Sequence, residues 1–92
     1  MPMNCITKDQ QLAVEAKLNM LLGAAEYDRL FMEFQLTDFQ WGILSVRVKS
    51  EHIDEIQNRY WLHIAIVAES VLRRAVRVLN FLSKDYSGST AH

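Results

Sequence analysis

The chain has 92 residues, half of them hydrophobic, with a formal net charge of −1, one proline and three glycines. That length and apolar content fit a single domain with a real core and exclude a disordered chain. The near-neutral balance removes any bulk attraction to nucleic acid or to an acidic membrane, and the single cysteine, Cys5, excludes an internal disulfide.

The first seven residues carry neither the basic start nor the apolar run of a signal peptide. No apolar run approaches the roughly 20 residues of a membrane span. We therefore expect a soluble, cytoplasmic protein that does not engage a membrane, with a flexible N-terminus over residues 1–7. Cys5 reads as an incidental thiol, because no neighbouring base would lower its pKa.

Thr7-Lys8-Asp9-Gln10 has the spacing of a capping box. The run behind it is rich in Ala, Leu, Met, Glu and Lys and predicts a helix over residues 8–35, which Gly23 interrupts at a cost of about 1 kcal/mol. This helix has two apolar faces. Val14, Leu18, Leu21, Leu22, Ala25 and Met32 form one; Leu12, Ala16, Met20, Gly23, Tyr27, Leu30 and Phe34 form the other. A helix on the surface of a monomer needs only one such face.

Residues 37–49 admit two readings. Leu44, Val46 and Val48 alternate with Ser45, Arg47 and Lys49 as a half-buried strand would. A strand needs a partner, however, and a turn through Thr37-Asp38 lacks the chemistry of tight hairpins. Thr37-Asp38-Phe39-Gln40 fits a second capping box, and Phe39, Ile43 and Val46 fall in helical register with Ile53 and Ile56. The cap and the register favour a helix.

Ser50 is a suitable N-cap for a final helix over residues 51–82. Its apolar stripe is Ile53, Ile56, Tyr60, Ile64, Val67, Val71, Ala75, Val78 and Leu82. Leu62 and Ile66 intrude on the otherwise charged opposite side, so the middle of this helix is apolar nearly all round. Residues 83–92 read as a polar tail.

Together these elements predict an all-α fold: two long antiparallel helices and a shorter middle segment, one helical domain over residues 8–82. The surplus apolar faces predict a homodimeric helical bundle with Leu18, Met20, Leu21, Leu62 and Ile66 at the interface. The alternative is an α+β fold with a short strand or hairpin around residues 43–49.

No P-loop, nucleophile elbow or metalloprotease motif occurs, so no catalytic residue is assigned. His52 and Glu55 have i, i+3 spacing but sit at a helix start, where acidic groups complement the helix dipole. Glu15 and Glu26 lie about 16 Å apart along a helix, too far to act as a pair. Neither metal nor cofactor is expected.

Arg73, Arg74 and Arg77 form a patch suited to an anionic partner. No aromatic residue interleaves with them to stack bases, which disfavours nucleic acid. Tyr27, Trp41, Tyr60 and Trp61, with His63, suggest an aromatic small-molecule cleft between helices. The leading expectation is a non-enzymatic regulatory or adaptor homodimer acting through protein–protein interaction. The alternative is a small-molecule binding protein, and the third reading is a minor enzyme using His63 with Glu26 or Glu33.

Overall fold

Thr7 opens α1 (Lys8–Leu22) with the expected capping box: its hydroxyl accepts the Gln10 N–H at 3.0 Å, and its own N–H donates to the Gln10 side chain at 3.0 Å. The computed structural model describes residues 6–83. Most of the expected flexible N-terminus and polar tail, and Cys5, lie outside the described residues.

The predicted helix over residues 8–35 is broken at Gly23. There φ is 91° and ψ is 151°, a conformation that suits glycine almost alone, and the Gly23 N–H closes α1 on the Asn19 carbonyl at 2.8 Å. A new helix, α2 (Ala24–Phe31), starts at once after the break. The apolar face expected on one rod is thereby divided. Tyr27, Leu30, Phe31 and Phe34 join Val14 and Leu18 in the core, whereas Leu12 and Met20 remain exposed.

Where the chain leaves α2, Gln11 of α1 satisfies the backbone. Its carbonyl oxygen accepts the Leu36 N–H at 2.8 Å and its amide donates to the Phe34 carbonyl at 3.2 Å. Residues beyond this point form β1 (Gln35–Gln40), which pairs antiparallel with β2 (Ile43–Val48). Thr37, expected as a helix cap, sits instead at a bulge in β1 and donates its hydroxyl to the Ser45 carbonyl at 3.0 Å.

A single 3-10 turn (Ser50–His52) leads into α3 (Ile53–Leu72), which ends ten residues short of the predicted boundary at 82. Arg73 adopts the left-handed conformation at φ 62°, and its N–H donates to the Glu69 carbonyl at 2.8 Å. The Glu69 carboxylate then accepts the Val76 N–H at 2.8 Å, so one residue holds both sides of the turn. The chain returns as β3 (Val78–Ser83), parallel to β2 in unbroken register from Ile43 opposite Val78 to Val48 opposite Ser83. α3 is the crossover that a parallel pair requires.

The architecture is therefore α+β: three helices and a three-stranded mixed sheet in the order β1-β2-β3. The all-α helical bundle with two long helices is incorrect. Its physical error lies in treating β2 as lacking a partner. Leu44, Val46 and Val48 are fully buried because β2 is central, with the residues expected to be the end of a helix on one side of it. Leu36 and Phe81 flank Val46, and Phe39 and Leu79 flank Leu44. These apolar residues pack with Val14 and Leu18 of α1 and Ile56, Tyr60, Ile64, Val67 and Ala68 of α3 to make a two-layer core.

α2 is pinned to α3 by an ionic network. Arg29 donates to Glu26 at 2.9 Å and to Glu55 at 2.6 Å, Arg59 donates to Glu55 at 2.8 Å, and the Tyr60 hydroxyl donates to Glu26 at 2.5 Å. The Arg29 guanidinium, assisted by Arg59, holds the Glu55 carboxyl down at about 2. Glu26 is likewise lowered, by Arg29 first and then by Tyr60.

Two outcomes follow. A carboxylate whose folded pKa is depressed stabilises the fold above its unfolded pKa, here 4.5, and loses that contribution as pH falls toward about 2. The urea midpoint should fall across that window, and Glu55→Gln should flatten the slope, with salt reducing the difference. Gly23→Ala should destabilise by about 1–3 kcal/mol through backbone strain. Packing contributes nothing there, since a Cβ at Gly23 meets no atom within 4 Å; an unchanged urea midpoint would contradict the broken helix.

Candidate functional site

The hairpin between β1 and β2 turns on two residues, Trp41 and Gly42, both at positive φ, 58° and 80°. That is the pattern of a type I′ turn, whose first place favours Asn, Asp or Gly. Trp41 occupies it at a steric cost of about 1–2 kcal/mol. Its side chain is 86% exposed, so burial does not offset the strain. Strain retained without a packing return directs attention to what else Trp41 does.

Gly42 explains what lies beside it. Its carbonyl accepts the N–H of Arg77 at 2.8 Å and of Val78 at 3.2 Å, tying the hairpin turn to the start of β3. A Cβ on Gly42 would sit 3.0 Å from the Arg77 side chain, so the missing side chain lets the arginine stem lie against the turn. Arg74, on the segment leaving α3, places its guanidinium 5.9 Å from the centre of the Phe39 ring.

Phe39, Trp41, Gly42, Arg74, Ala75 and Arg77 line a cleft of about 440 Å³. Neither arginine forms an ion pair among the described residues, unlike Arg29 and Arg59. Among the described residues the cleft thus combines positive charge with a solvent-facing indole. A second hollow of about 440 Å³ is lined by Gln11, Glu15, Met32, Glu33, Phe34 and Gln35. There Gln11 is already committed to Glu15 and to the β1 backbone, leaving acidic groups and no cation.

The other residues singled out in the sequence disperse. Tyr27 and Tyr60 are buried in the core, where burial pushes the Tyr27 hydroxyl up to about 12 and the Glu26 hydrogen bond raises Tyr60. Trp61 borders a smaller hollow of about 240 Å³ with Gln57, Leu79 and Phe81. His63 meets Tyr60 edge-on at 5.3 Å, and its Nδ1 is buried with no hydrogen-bond partner among the described residues. The five are not one cleft between helices; Trp41 alone of them joins the arginines.

Among the interface candidates, Leu18 is fully buried inside the chain, whereas Met20, Leu21, Leu62 and Ile66 are exposed. Arg73 lies outside the cleft, by a shallow hollow that it lines with Glu69, Arg74 and Ala75, so Arg74 borders both hollows. Phe39, Gly42 and Ala75 are the members of the cleft that sequence reasoning missed. The dipeptide Trp41-Gly42 between two alternating apolar runs was the available signal. Among the described residues no three His, Cys, Asp or Glu converge as metal ligands, and no helix is long and apolar enough to cross a membrane. Comparison with protein-family profiles, with curated proteins and with solved structures returned no match.

Proposed function

We propose that this chain is a small-molecule binding protein whose cleft at the hairpin turn takes an anion carrying a planar ring. The observation that carries this reading is Trp41: an exposed indole held at positive φ beside two arginines that form no ion pair among the described residues. A planar ring stacks on the indole, and the guanidinium groups receive a phosphate or carboxylate through charge-assisted hydrogen bonds. The Gly42 carbonyl supports the arrangement by fixing the first residues of β3 against the turn.

Titration with a nucleoside monophosphate, the matching nucleoside and inorganic phosphate, read by isothermal titration calorimetry in the wild type and in each variant, separates the two contributions. The monophosphate should bind tightest. Trp41→Asn should weaken it roughly tenfold through lost stacking, while raising stability by about 1 kcal/mol because Asn tolerates the left-handed conformation. A variant that gains stability and loses binding cannot be explained by misfolding. Wild-type affinity for the monophosphate in Trp41→Asn and in Arg74→Ala/Arg77→Ala would overturn the reading.

A second reading, that the protein also acts through protein–protein interaction as a homodimer, draws support from the outer side of α3. Leu62 and Ile66, one turn apart, are 52% and 56% exposed. Such large apolar side chains on a solvent-facing side gain free energy when a partner covers them.

A further inference from the structure

Resting on the homodimer reading, we infer that two copies associate through α3 packed antiparallel on α3, about a two-fold axis at Ile64. The basis is a self-complementary stripe on the outer side of that helix, Glu55, Arg59, Leu62, Ile66 and Glu69, continued by Arg73 at its C-cap. Their spacing alternates four and three residues throughout, the seam of a coiled coil. At about 100° per residue the five helical positions lie within about 40° of a common direction, turned about 100–180° from the core residues Ile56, Tyr60, Ile64 and Val67.

Read against itself in the reverse direction, the stripe matches at every layer. Leu62 meets Ile66 of the second copy, Arg59 meets Glu69, and Glu55 meets Arg73. All three pairings are centred on residue 64. The result is an apolar centre with opposite charges at each successive layer. A parallel arrangement would set Arg59 on Arg59 and Glu69 on Glu69, which repel. Charge complementarity therefore selects both the occupant, a second copy, and its direction.

The monomer already holds these groups for such a role. Arg59 is steadied by Glu55 and lies 5.2 Å from the centre of the Tyr60 ring. Glu69 is fixed by the Val76 N–H, and Arg73 forms no ion pair among the described residues. Of the arginines after α3, Arg73 serves this seam and Arg77 the cleft, while Arg74 borders both hollows.

Sedimentation equilibrium over a range of concentrations tests this on the full chain. The wild type should show a monomer–dimer equilibrium. Arg59→Glu alone and Glu69→Arg alone should each weaken dimerisation roughly tenfold or more, since each sets like charges across the seam twice. Mixing the two variants should restore a dimer containing one of each, because the introduced carboxylate then faces the introduced guanidinium. Far-ultraviolet circular dichroism checks that each variant remains folded, and recovery on mixing excludes misfolding independently. A wild type that stays monomeric would overturn the homodimer reading itself. A wild-type dimer that survives Ile66→Glu and both charge variants would keep that reading and overturn the α3 seam, as would failure of the mixture to recover.

Discussion

The pairing of β2 on both of its edges is the constraint on which this molecule rests. A strand with fully buried Leu44, Val46 and Val48 leaves no backbone donor or acceptor free to reach water, so each side must be occupied by another strand. β1 reaches one side through the tight turn at Trp41 and Gly42. β3 reaches the other only after α3 has crossed the sheet, and the helix is buried by doing so. Closing that crossover also brings Arg77 and Val78 onto the Gly42 carbonyl. The cleft is thus a by-product of the topology: one carbonyl joins the hairpin tip to the end of the crossover, and the arginines arrive with it.

α3 consequently serves three neighbours at once. Its inner side fills the core, its N-terminal half is tied to α2 through Glu55, Arg59 and Tyr60, and its outer side displays Leu62 and Ile66 between charges of alternating sign. Exposed ion pairs of the Arg29–Glu55 kind contribute little individually. Here they are shared among two acids, two bases and a tyrosine, which fixes the angle of α2 after the break at Gly23. The break matters because it lets one amphipathic sequence cover the core from two directions.

Much of this was legible in the residues, and the failures have physical causes. The Thr7 capping box and the stripe from Ile53 to Val71 specify helix starts and faces through local hydrogen bonding and periodicity, and both recur in the structure. The end of α3 was hidden because Val78 and Leu82 satisfy a helical spacing as well as a strand's alternation; tertiary pairing with β2 decides between them. Trp41 concealed the hairpin, since bulky aromatics are rare where φ is positive. Gly23 was noticed as an interruption, but its φ of 91° cannot be inferred from a glycine alone. For the cleft, both the arginines and Trp41 stood out individually. Their meeting depends on the β2–β3 register, which no spacing along the chain encodes.

Residue-resolved NMR of the free protein addresses the central pairing most directly, through backbone chemical shifts and amide hydrogen exchange. If β2 is flanked on both sides, Val78 to Leu82 will show strand-type shifts, and the amides of Arg77 and Val78 will exchange slowly together with those of Leu44 to Val48. Helical shifts continuing from Ile53 through Leu82, with Leu44 to Val48 unprotected, would contradict the account.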